Sequence, residues 1–104
     1  MDASIAGFDW DEGNRAKCLK HGVSIEEIES LFQQAIMILP DESHSMTEVR
    51  FRGIARSAAG RHVFLIFMLR EKRGHNYIRP ISARYMHRKE VEHYEKENPD
   101  IQDG

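Results

Sequence analysis

The sequence predicts an α+β fold with two N-terminal helices, a four-stranded antiparallel sheet and a C-terminal helix. Apolar residues recur at helical spacing towards both ends of the chain and change to strand-like patterns between about residues 35 and 82. The strand-like segments follow one another through hairpin-length connections, so consecutive strands should pair antiparallel. A chain of 104 residues accommodates one hydrophobic core and not two. The helices are therefore expected to pack together on one face of the sheet.

Residues 1–7 lack periodicity and are expected to form a flexible leader before a single domain over 8–97, with an acidic tail at 98–104. Asp11 to His21 reads as a short helix, with Asp11 and Glu12 in its first turn and Gly22 at the position where a left-handed residue ends a helix. Ser24 followed by Glu27 matches a capping box, which starts a second helix from Ile25 to about Gln33 with Ile28, Leu31 and Phe32 on its core side. Ile36 to Leu39 is a short apolar strand ended by Pro40-Asp41. Val49, Phe51, Gly53 and Ala55 alternate with Arg50, Arg52, Ile54 and Arg56, as a strand with one cationic face would. Ser57 to Arg61 is a hairpin turn, and His62 to Leu69 reads as a central strand covered on both faces. After a turn at Glu71 to His75, the fourth strand runs from Asn76 to Ser82. Pro80, having no amide hydrogen, should place that strand at an edge or near its end. A final helix spans His87 to Glu97, with Val91 and Tyr94 inward and Pro99 beyond it.

Composition narrows the function classes. The longest apolar run, Val63 to Leu69, is far short of the roughly 20 residues that span a bilayer, and the first residues lack the pattern of a secretory signal. A cytoplasmic protein without membrane contact is expected, and the single Cys18 fits a reducing compartment. The net charge of -2 conceals an uneven distribution. Between Arg50 and Lys89 there are eleven basic residues and one acidic one, Glu71. A local field of that sign guides an anionic partner whatever the net charge; a solvated arginine-rich sheet face is the alternative.

Cleavage of RNA without a metal needs a base for the 2'-hydroxyl proton, cations for the charge that develops on phosphorus, and an acid for the leaving 5'-oxygen. Three clusters offer such groups: Lys20-His21 at the end of the first helix, His44 with Glu48 and Arg50 before the second strand, and Arg79 with Arg84, Tyr85 and His87 around the end of the fourth. Lys20 and His21 are equally explained as favourable charges against a helix C-terminus. His44 follows Asp41 and Glu42 in a loop, where a turn-stabilising role or simple exposure is favoured over catalysis. Arg84 is the strongest candidate, since it stands between a strand and a helix start, where guanidinium and backbone amides can hold phosphate together. Arg52 and Arg79 are candidate RNA contacts, as are Tyr85, by stacking on a base, and His87. Cys18 and His21 alone do not make a metal site, so no metal and no cofactor is expected. Gly-rich phosphate loops and serine-hydrolase elbows are absent from the sequence.

Phe8-Asp9-Trp10-Asp11, Lys20-His21-Gly22-Val23-Ser24, Asp41 with His44, Glu48 with Arg50, Gly53, Gly60-Arg61 and Ile81-Ser82-Ala83-Arg84 followed by Glu90 and Tyr94 occur in an order and spacing that resembles the BrnT family of toxins, within the RelE-like ribonucleases. The resemblance covers about residues 8–95. Asn14 and Cys18 stand where many members have lysine and asparagine, and Pro80 and Tyr85-Met86 alter the surroundings of the Ser-Ala-Arg word. The resemblance implies a RelE-like fold and a toxin that cleaves RNA and inhibits translation. It also implies a cognate antitoxin partner, with promoter DNA bound only through the antitoxin complex. Lys20, His21, His44, Glu48, Arg50 and Arg84 match its polar signature positions. The alternative function is a non-catalytic nucleic-acid-binding or corepressor module acting with a partner protein. A protein-interaction domain with a basic face is a third reading.

Overall fold

The computed structural model describes residues 5–41 and 49–97; the expected acidic tail at 98–104 lies outside them. Its elements are β1 (Ile5–Phe8), α1 (Glu12–Leu19), α2 (Ile25–Ser30) running into a 3-10 turn (Leu31–Gln33), β2 (Met37–Pro40), β3 (Phe51–Arg56), β4 (His62–Lys72), β5 (His75–Tyr85) and α3 (Arg88–Glu97). The sheet has five strands in the order β1-β5-β4-β3-β2. This corrects the expected four-stranded antiparallel sheet with helices leading the chain. A strand precedes the helices, and it lies parallel to β5 in a mixed sheet. Part of the stretch expected to be an aperiodic leader supplies that strand. Four residues with a register irregularity between Ile5 and Gly7 carry no measurable alternation, and their partner strand is distant in sequence.

The other strands pair antiparallel as expected. β4 and β5 extend further than their apolar residues suggest, because the Arg73-Gly74 turn has positive φ at both positions (53° and 80°) and closes a two-residue hairpin between Lys72 and His75. One face of the sheet carries Ala55, Val63, Leu65, Phe67, Ile78 and Ala83, all buried with Cys18, Val23, Ile28 and Leu31 from α1, α2 and their connections. Phe67 packs edge-on against Phe32 and is stacked with Phe51. Gly53 lies beneath this cluster. A Cβ there would meet Ile36 Cδ1 at 3.0 Å and Phe67 Cε1 at 3.3 Å, so a larger residue would oblige these side chains to give by a few tenths of an ångström.

Contrary to the expectation from sequence, the helices do not all share one face. α2 covers the face just described, where Glu27 accepts hydrogen bonds from Ser57 Oγ at 2.5 Å and from the Tyr85 hydroxyl. α3 packs against the opposite face, held by Tyr94 against the His62 ring and by the pairing of Glu90 with Arg84. The rest of that second face, around Ile66 and Ser82, is bordered by the end of α1 and forms the open face.

α1 takes up the edge of β5 where β1 stops. Asp11 and Asn14 form a reciprocal cap: Asp11 Oδ1 accepts from the Asn14 backbone at 3.0 Å, and Asn14 Oδ1 accepts from the Asp11 backbone at 2.7 Å. The buried Asn14 Nδ2 donates to the carbonyls of Asp9 (2.9 Å) and Pro80 (2.8 Å). Pro80 lies past Ile78, where the pairing with β1 stops and β5 is locally a sheet edge, and it stands at a bulge: it pairs with Phe67 and Ser82 pairs with Ile66, leaving Ile81 as the extra residue. Proline fits there because its carbonyl faces the Asn14 side chain on the side where β1 has ended, so no strand ladder needs its missing N–H.

Asn14→Ala strips three side-chain hydrogen bonds from this junction and leaves the Asp9 and Pro80 carbonyls without that donor. The expected loss of stability is on the order of 2–4 kcal/mol, read as a lower urea midpoint with an unchanged slope.

Candidate functional site

The open face bears a cavity of about 320 Å³ lined by Lys17, Lys20 and His21 from the end of α1, Arg50 ahead of β3, and Ile66, Ile81 and Ser82 from β4 and β5. Helical spacing at i, i+3 and i+4 directs Lys17, Lys20 and His21 to one side of α1, and Cys18 to the other. The latter is fully buried in the core, where desolvation pushes its thiol up to about 11. It is therefore an inert packing residue facing away from the exposed His21. Among the described residues no group of three or more His, Cys, Asp or Glu side chains is placed to hold a metal ion.

Among the described residues no carboxylate lines this cavity, so an imidazole stands among three cations above an apolar floor of Ile66 and Ile81. The bulge brings Ile81 to this face. The Arg50 backbone is tied down, its carbonyl accepting from the Asp41 amide at 2.9 Å. Lys17 and Ser82 belong to the cluster although the sequence does not single them out as site residues. The helical spacing of Lys17 relative to Lys20 and His21 is a usable signal for the first. For Ser82 there is none, because its face depends on the bulge.

The remaining candidates are distributed around this cluster. His44 and Glu48 lie outside the described residues, in the segment whose two ends are joined by the Asp41–Arg50 hydrogen bond. Arg52 is exposed on the same face, paired across from Ile66. Arg84 is on this face too, over the Phe64 ring at 4.9 Å, but its guanidinium is engaged by Glu90 in a two-pronged pair at 2.8 and 2.9 Å. Glu90 also accepts from the His87 backbone at 2.8 Å, so His87 serves as the start of α3 and its ring is exposed. Tyr85 points to the other face: its hydroxyl donates to Glu27 and Arg61 lies 3.5 Å above its ring. The hydrogen bond to Glu27, then burial, raises its pKa. Arg79 is largely buried and donates to Asp9 (3.3 Å) and Asp11 (2.8 Å).

The sequence matches the family described as ribonuclease toxin, BrnT, of type II toxin-antitoxin system, over residues 10–90. The chain belongs to the BrnT family. Its family is that of ribonucleases which act as toxins beside an antitoxin partner, with RNA as substrate. No match was found among curated proteins. Within this BrnT chain the matched span includes α1, the Arg50 segment, the bulge and the Arg84–Glu90 pair, and so all of the cluster above.

The Arg84 hydrogen bonds first, and the His87 amide second, lower the Glu90 pKa from 4.5 to about 2. A depressed carboxyl stabilises the fold above its ordinary value and loses that contribution as pH falls through the folded one. Urea melts between about pH 6 and 2 should therefore show a component lost below about 4.5 that Glu90→Gln removes. The effect should be modest because the pair is partly exposed.

Proposed function

We propose that this protein is a metal-independent endoribonuclease whose reaction centre is the Lys17–Lys20–His21–Arg50 cavity. The observation that carries this reading is the position of His21 among three cations on the open sheet face. A neutral imidazole accepts the proton of the ribose 2'-hydroxyl as that oxygen attacks the adjacent phosphorus. The bond from phosphorus to the 5'-oxygen breaks, and the 5'-oxygen takes up a proton. A 2',3'-cyclic phosphate and a 5'-hydroxyl end result. Lys17, Lys20 and Arg50 stabilise the charge that grows on the phosphate oxygens, the task for which fixed cations in a partly desolvated site are suited. His44 and Glu48 are retained as proton-transfer candidates on sequence grounds, since their segment starts and ends beside Arg50.

Arg52 and Arg79 extend the cationic surface for RNA backbone contacts. Arg84 joins them only by exchanging Glu90 for phosphate, and its first role is to hold α3. Tyr85 and His87 do not enter the reaction centre in this reading. The protein acts in the cytoplasm as a RelE-like toxin that inhibits translation. A cognate antitoxin covers the open face, and promoter DNA is contacted only through that complex.

The test is incubation of the purified protein with a defined RNA in chelator, with and without the antitoxin. Cleavage should persist in chelator, stop with antitoxin and leave cyclic phosphate ends. His21→Ala should lower the rate about 10²–10⁴-fold with the melting temperature unchanged, as expected for an exposed side chain. Intact RNA, or a fully active His21→Ala protein, refutes the assignment.

A further inference from the structure

A second cavity of about 310 Å³ adjoins the first and shares Lys17, Arg50 and Ile81 with it. Its other polar walls include Arg70 and Arg79, with Met68 at its floor. Among the described residues four cations and no carboxylate line this space. Behind them is Asp9, a nearly buried carboxylate just after β1. Asp9 Oδ1 accepts from Lys72 Nζ at 3.0 Å, while Oδ2 accepts from Arg79 at 3.3 Å and lies 3.6 Å from Arg70 Nη1. Burial acts to raise the Asp9 pKa, but the Lys72 hydrogen bond and the charges of Lys72, Arg79 and Arg70 together hold it below the ordinary carboxylate value. One anion thus holds three cations that would otherwise repel one another at close range.

We infer that this second cavity is a phosphate subsite for the nucleotide next to the cleaved one, with Arg70 and Arg79 as its ligands and Asp9 as the residue that positions them. The inference rests on the ribonuclease reading of the adjoining cavity and adds to it the length and path of the bound strand. Ile66 floors the first cavity and Met68 the second. Ile66 and Met68, two residues apart along β4, are about 7 Å apart, a distance comparable to one step of an extended single strand. The single strand runs along α1 from the Lys20–His21 end towards its N-terminal turn. Lys17 and Arg50, which line both cavities, sit between the two phosphates. Ile81, pushed out by the bulge, forms the apolar divider. Arg70 is the more adaptable ligand, its side chain being 45% exposed, whereas Arg79, at 15%, is held in place by Asp9 and Asp11.

The experiment measures binding of a fully 2'-O-methylated six-nucleotide RNA, which cannot be cleaved, across a series of salt concentrations. Arg70→Gln should weaken binding about 10-fold and reduce the slope of log K against log salt by about 0.7, the loss of one phosphate contact on a single strand. Asp9→Asn separates positioning from simple charge. Removing an anion from a basic surface should tighten RNA binding, whereas loss of the group that orients Arg70 and Arg79 should weaken it several-fold. Equal affinity and slope for Arg70→Gln, or tighter binding by a folded Asp9→Asn protein, overturns the inference. Cleavage of unmodified RNA by the wild-type protein is scored separately. Binding that depends on Arg70 without any cleavage upholds the subsite and removes the nuclease reading. Cleavage with Arg70-independent binding does the reverse, and absence of RNA binding by the wild type removes both.

Discussion

The Asn14 side chain is the constraint on which the open face depends. Its amide group is buried and joins three segments: the end of β1 through Asp9, the start of α1 through Asp11, and the bulge of β5 through Pro80. With these bonds in place α1 continues the sheet edge that β1 vacates, so the side of its last turn bearing Lys17, Lys20 and His21 overhangs the sheet. An unsatisfied amide at this depth would cost about 1–3 kcal/mol, which ties the position of α1 to that of the bulge. The same residue therefore contributes to stability and, indirectly, to where the cations stand.

Charge on the open face is organised by where its counterions lie. Three cations line the first cavity, and Arg79 and Arg84 each have a carboxylate partner within hydrogen-bond distance behind or beside them. Paired arginines are held in one orientation, and positive groups that line a concave surface focus their field on whatever anion enters it. Arginines that look alike in sequence differ in what they hold. Arg84 anchors α3 over Phe64 and Glu90, while Arg50 lines both cavities from a backbone tied to Asp41. The two sides of the sheet are separated just as firmly. Glu27 gathers Ser57 and Tyr85 on the helix-covered side, so a tyrosine adjacent in sequence to Arg84 ends on the opposite surface.

Local patterns in the amino-acid sequence determined the helix starts at Asp11 and Ser24, the end of the first helix at Gly22, the alternation of β3, the apolar centre of β4 and the concentration of positive charge from Arg50 onward. These depend on residues a few positions apart, where capping bonds and side-chain periodicity act. They were also enough to indicate Lys20, His21 and Arg50 as candidates and to suggest the family. Tertiary structure alone decided what joins across long separations. The parallel pairing of β1 with β5, the placement of α3 on the second face, the Asn14–Pro80 bond and the gathering of Lys17 and Ser82 with His21 and Arg50 all link segments far apart in sequence. The physical reason is that such contacts are selected by burial and hydrogen-bond satisfaction over the whole chain, and a one-residue bulge changes which face a side chain meets without altering the local pattern that precedes it.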